Sequence, residues 1–249
     1  VSSNAEREPL TQRRIGKMYA PLAASWLFMA TEGPISIAIL SRMPNAELFT
    51  AAFMPLMGLS MWIESPVIDL LSTSTALSRD KNSYGLVRRF TLWLMLLVML
   101  VHGAVALTPL YGLVTESLIG LPPPVARAMH VPFMIMIPWS AFIGWRRHLQ
   151  GILIRHSSTQ AVGWGTTVRM LALISVGVGT ALFSGFPGIW CIAIALVVSV
   201  AAECLFIHVA SRKVLAAHYS HVDGHAALTM GALVKFHVPL ALATVVMFT

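Results

Sequence analysis

Charge is scarce in this chain. Asp, Glu, Lys and Arg together make up 11% of its 249 residues, against about 25% in a soluble domain, which excludes the water-soluble globular class. Acids are scarcer than bases, 10 against 17. In a soluble protein that excess of base would point to nucleic acid. In a chain this apolar it marks cytoplasmic loops instead, so no nucleic-acid partner is expected. Cysteine is limited to Cys191 and Cys204. Thirteen residues apart on one helix, they lie about 20 Å apart along its axis, too far for a disulfide. Nucleotide-binding loops, metalloprotease helices and nucleophile elbows are missing, so neither an enzyme nor a bound cofactor is expected. His218, His221 and His225 cluster with Asp223 but lack a firm ligand spacing; they read as a solvated connector, and no metal is expected. A secretory signal is missing too, because residues 1–17 are polar and charged.

What the chain has is apolar length. It is 57% hydrophobic, with a mean hydropathy of +0.76. A bilayer core about 30 Å thick needs about 20 apolar residues per helix. Six such spans can be drawn, over residues 18–40, 48–71, 90–113, 126–145, 159–183 and 188–209, and a seventh begins after Lys235. Pro132 and Pro138 should bend the fourth. His102 interrupts the third and is expected to hydrogen-bond a neighbouring helix. The fold class is therefore all-α integral membrane.

The cations test this division. The tail holds Arg7, Arg13, Arg14 and Lys17. The alternate loops and their flanks hold Arg79, Lys81, Arg88 and Arg89, then Arg146, Arg147 and Arg155, then Arg212, Lys213 and Lys235. The other side holds only Arg42 and Arg127, and Arg169 lies within a span. The positive-inside rule then puts the amino terminus in the cytoplasm. Arg88-Arg89 and Arg146-Arg147 read as topology anchors at the lipid surface.

The opening of the chain recurs at its end. Lys17, Pro21, Leu22, Ala23, Met29 and Thr31 return as Lys235, Pro239, Leu240, Ala241, Met247 and Thr249, at an offset of 218 residues. Repeats are the signature of duplicated architectures, and both copies enter from the cytoplasmic side, so the halves are parallel. The chain begins at Val1 and stops inside an apolar helix. The expected organisation is a fragment: a cytoplasmic tail (1–17), a six-helix lobe (18–210), a cytoplasmic linker (211–234) and the start of a second lobe (235–249).

Ionisable residues inside spans cost about 2.5–3.5 kcal/mol each on insertion scales and so mark sites. They are Glu32, Glu64, Asp69, Arg169 and Glu203. Counting along the helices puts Glu32 in the outer half, Glu64 and Glu203 in the inner half and Arg169 near mid-depth. Arg169 is within reach of Glu64 or Glu203, as a static salt bridge or as an ion-sensitive pair. Asp69 falls at the cytoplasmic boundary. Glu32 has no evident partner and adjoins Gly33-Pro34, which interrupts the helix and frees carbonyls. An acid beside a broken helix is a candidate ion or substrate site. Glu64-Ser65-Pro66 repeats that arrangement in the second span. Pro21, Gly33, Pro34 and Pro66 are the expected helix bends.

Three segments, Pro21-Leu22 with Glu32-Gly33-Pro34, Ala76-Leu77-Ser78-Arg79-Asp80, and Gly151-Ile152-Leu153-Ile154-Arg155-His156, carry a resemblance. With the parallel halves, they are similar to a bacterial branch of the multidrug and toxic compound extrusion (MATE) family. That family sits in the wider multidrug, oligosaccharidyl-lipid and polysaccharide (MOP) exporter superfamily. The last segment and Glu32 also resemble the progressive ankylosis proteins. The resemblance implies two six-helix lobes around a central cavity, alternating access driven by inward-moving H+ or Na+, and a coupling acid in the first helix. Glu32 is the nearest match to that acid, where many members have Asp.

Three functions follow. The first is an ion-coupled exporter of small organic compounds in the bacterial inner membrane; acids outnumber Arg169 within the spans, which favours cationic or neutral substrates. The second is an anion exporter or lipid-linked saccharide flippase, which should show several basic side chains inside the lobe. The third, an intramembrane enzyme or scaffold, lacks a compact catalytic set. The partners implied are a small-molecule substrate, membrane lipid and a second six-helix lobe.

Overall fold

The computed structural model describes residues 12–219 and 228–248, and among these it contains helices and no strand. The tail before Gln12, and His221, Asp223 and His225 of the histidine cluster, lie outside the described residues.

Seven apolar passes are present among the described residues. The first is α1 (Gln12–Ala30) and α2 (Glu32–Leu40), and the second is α3 (Ala46–Ile68) and α4 (Leu70–Leu77). The third is α5 (Lys81–Leu107), followed by the short α6 (Leu110–Gly112) and a π-helical turn over Leu113–Leu118. The fourth is α7 (Pro123–Ile135) and α8 (Trp139–Arg155), bent by 51° at the junction. The fifth, sixth and seventh are α9 (Thr159–Phe183), α10 (Gly188–His218) and α11 (Met230–Met247). The chain is an integral membrane protein with the all-α organisation that its composition predicts.

The boundaries differ in instructive places. The third pass was expected over 90–113 but starts at Lys81, where Asp80 and Ser83 form a reciprocal capping box, and stops before Pro109. The sixth extends beyond 209 to His218 and the seventh begins at Met230. The largest difference is in the fourth. It was expected to end at 145, yet α8 continues through Arg146 and Arg147 to Arg155. Leu149, Ile152 and Leu153 keep an apolar stripe in helical period beyond the arginines, and all three are buried.

Breaks fall beside Gly33-Pro34, Pro66 and Pro138 as expected, but none falls at Pro21. Thr31 interrupts the first pass, and Pro34 sits in the first turn of α2, where a missing N–H costs nothing. Pro21 falls within α1, whose helix is continuous there. Pro66 precedes the break at Asp69, and its missing N–H leaves the Trp62 carbonyl to the Ser65 hydroxyl at 2.7 Å. A carbonyl freed inside a bilayer has no water to turn to, and histidines take several of them. His102 Nε2 bonds the Phe133 carbonyl (3.0 Å), as expected of a residue facing a neighbouring helix, and His130 Nε2 bonds that of Ala106 (2.9 Å). His237 Nε2–H donates to Pro66 (3.0 Å) while its Nδ1 accepts from the Thr73 hydroxyl (2.9 Å), which fastens α11 to the second pass.

The core lies between α3, α7 and α10, where Phe53, Leu56, Met129, Phe133, Ile192 and Leu196 are buried. The outer face of α5 shows Leu92, Trp93, Leu96 and Leu100, as a lipid-facing helix does. Without a hydrophobic drive between helices in lipid, small residues allow close approach. At Gly165 a Cβ would meet Ile207 at 2.9 Å, a side-chain end that can shift; at Gly151 it would lie 2.5 Å from the Leu71 carbonyl oxygen, which is main chain and cannot.

Gly151→Ala is therefore expected to loosen the α4–α8 crossing and destabilise by about 1–3 kcal/mol. Gly179→Ala, which meets nothing within 4 Å, should not. Thermal unfolding of the detergent-solubilised variants checks this; equal losses at the two positions would remove the packing argument.

Candidate functional site

Four helices bring four opposite charges into one chain. Glu32 opens α2, Arg169 lies inside α9, Glu203 inside α10 and Arg146 inside α8. Arg169 Nη2 donates to Glu32 Oε2 at 2.5 Å, and its Nη1 lies 3.7 Å from Glu203 Oε2. Arg146 Nη1 donates to the same Glu203 oxygen at 2.6 Å, and Gln150 Nε2 donates to Glu203 Oε1 at 3.1 Å. All four charged residues are buried, Glu203 completely. A single charge at this depth would cost several kcal/mol in desolvation; here each ion faces one of opposite sign.

The network borders a cavity of about 280 Å³, close to the lower end of the 300–1,000 Å³ usual for ligand sites. Glu32, Glu64, Arg146, Arg147 and Arg169 line it. Its apolar wall carries the thioethers of Met29, Met54, Met57 and Met61, with Phe53 and Trp139. Flexible, polarisable Met side chains suit a site of adaptable shape. Gly33 also borders the cavity, beside the break at Thr31.

Two charged lining residues stand outside the paired chain. Among the described residues Glu64 and Arg147 form no hydrogen bond and no ion pair, and Glu64 Oε2 and Arg147 Nε are buried without a partner. The Nε atoms of Arg146 and Arg169 and the indole Nε1 of Trp139 are in the same condition, as is Glu32 Oε1.

Of the five expected ionisable residues, Glu32, Glu64, Arg169 and Glu203 converge here. Asp69 does not: it sits at the break between α3 and α4 and accepts from the Thr244 hydroxyl of α11 at 2.7 Å. Glu32, expected to lack a partner, is held by Arg169, which pairs with Glu32 and Glu203 and not with Glu64. The residues missed were Arg146, Arg147 and Gln150. The arginines were read as loop anchors because they follow an apolar run. The available signal was the apolar period beyond them, with Arg146 and Gln150 one turn apart between Gly144 and Gly151. No cluster of metal-ligating side chains occurs among the described residues.

The paired chain makes one clear prediction. Arg169→Ala strands Glu32, leaves Glu203 to Arg146 and Gln150 alone, and should cost about 3–5 kcal/mol. Adding Glu32→Gln to Arg169→Ala should recover part of that loss. Denaturation of the single and double variants measures the coupling, and strictly additive losses would show that the two residues do not interact.

No protein-family model and no curated protein matches the chain. Two solved structures are similar to it. The Vibrio cholerae MATE transporter VcmN, in its bent form, has a TM-score of 0.66 at 16% identity, covering 94% of this chain and 54% of that one. A MOP superfamily transporter from Pyrococcus furiosus, described as having a binding pocket of reversed polarity that suggests a different function, has a TM-score of 0.62 at 14% identity; the match covers 93% of this chain and 50% of that one. The chain spans about half the length of the structures it matches. The expected MATE-like resemblance holds at the level of fold: these helices have the fold of one half of a MATE transporter.

Proposed function

We propose that the chain is the amino-terminal lobe of a secondary active exporter of the bacterial inner membrane, with its amino terminus in the cytoplasm. A second six-helix lobe supplies the facing wall. The lobes alternate access and exchange a small organic compound for H+ or Na+. The observation that carries this reading is the buried chain Glu32–Arg169–Glu203–Arg146 bordering a cavity at a broken helix. A carboxylate that exchanges its hold on an arginine for a proton or cation changes the attraction between α2 and α9. That is the differential interaction an ion-driven conformational change requires. The fold shared with VcmN and the Pyrococcus transporter supports a transporter over an enzyme or scaffold.

The expectation of a cationic or neutral substrate rested on Arg169 being the lone base within the spans. Arg146 and Arg147 also line the cavity, which lends specific support to the anion-exporter reading. The reversed pocket polarity described for the Pyrococcus protein is in keeping with variation of pocket polarity on this fold.

The test is flux in proteoliposomes carrying the full-length protein. Glu32→Gln should reduce flux driven by a pH or Na+ gradient at least tenfold, while its size-exclusion profile stays that of the parent. Unchanged gradient-driven flux in this variant would sink the coupling role.

A further inference from the structure

We infer that the cavity beside Arg147 is a binding site for the anionic head of a small organic ligand, a carboxylate or phosphate ester, with Trp139 donating alongside and the methionines holding the apolar remainder. This rests on the transporter reading and names the substrate class of its cavity.

The argument begins with unpaired groups. A buried polar atom without a partner costs free energy, so a cavity bordered by several is suited to a ligand of complementary polarity. Donors dominate: among the described residues Arg147 has no hydrogen bond or ion pair, and Nε of Arg147, Arg146 and Arg169 and Nε1 of Trp139 are all buried and unpartnered. The Arg146 and Arg169 side chains are 2% and 4% exposed. Against them stand single oxygens of Glu32 and Glu64.

Charge points the same way. Three arginines and three glutamates meet here, counting Glu203 behind the wall. Guanidinium does not lose its proton in proteins, whereas each carboxyl can gain one. The cluster therefore ranges from neutral to positive and never becomes negative. A cationic ligand would meet no net attraction, and an anion would meet neutrality at worst. Paired guanidinium groups are committed to Glu32 and Glu203, which leaves the Arg147 fork, whose planar donors suit carboxylate or phosphate oxygens in bidentate geometry. The other titratable group lining this space from the packed helices is Glu64 on α3; the Cys204 thiol on α10 lies against Arg146 and outside the lining.

Four ligands of one shape decide the matter: benzoate, phenyl phosphate, benzamide and benzylamine, titrated calorimetrically into the full-length protein in lipid nanodiscs. Benzoate or phenyl phosphate should bind at least tenfold more tightly than benzamide, with benzylamine weakest; which anion is preferred separates carboxylate from phosphate recognition. Arg147→Gln should remove at least tenfold of the anion affinity, and Arg147→Lys should retain part of it. Preference for benzylamine, equal binding of all four, binding of none, or an unchanged anion affinity in Arg147→Gln each overturns the site. Should Arg147→Gln fail to fold, the ligand order on the parent protein and the lysine variant still decide. Anion binding without gradient-driven flux would leave the site standing and remove the transporter reading; flux of a cation without anion binding would do the reverse.

Discussion

Burial of the Glu203 carboxylate is the constraint on which the rest of this lobe depends. The residue has no exposed surface, and a carboxylate taken that far from water persists only with compensating charge and hydrogen bonds. Arg146 and Gln150 from α8 and Arg169 from α9 supply them. Because Arg169 also holds Glu32, the requirement reaches α2. Four helices are thereby held in one register, and the close approach of α9 and α10 at Gly165, where a Cβ would meet Ile207 and Glu203, lies beside those side chains.

The same scarcity of water governs the backbone. The first, second and fourth passes are each broken, at Thr31, at Asp69 and between Ile135 and Trp139. Each break loosens carbonyls that lipid cannot satisfy. The Thr31 hydroxyl returns to Phe28, Ser65 to Trp62, and the rings of His102 and His237 to Phe133 and Pro66. One ring nitrogen of His102 and both of His237 are thus occupied in holding bent helices together. His237 extends this to α11, whose attachment to α3 and α4 includes three such bonds.

A division of labour results. Paired charges fix the helices; unpaired ones, Glu64 and Arg147, face open space on the same cavity. A network fully satisfied within itself would be only a clamp, and a cavity without the network would lack the rigid frame that positions its donors. In the proposed transporter, their adjacency would let an event at one carboxylate reach both the substrate and the helix packing.

The number of passes, their order and all three breaks were legible in the sequence, because bilayer thickness and the lost hydrogen bond of proline act locally. Glu32, Glu64, Arg169 and Glu203 were legible for the same reason: a charge in an apolar run is conspicuous. Arg146 and Arg147 were not. An arginine at the end of an apolar run looks alike whether it meets lipid headgroups or the protein interior, and what decides between the two is a carboxylate 57 residues away in sequence. The Glu32–Arg169 pair spans 137 residues, and neither residue carries a mark of the other. Hydrophobic length and backbone chemistry are properties of a segment and can be read from it. The balance of buried charge is a property of the assembled helices, and only their packing decided which ions pair and which remain unpaired.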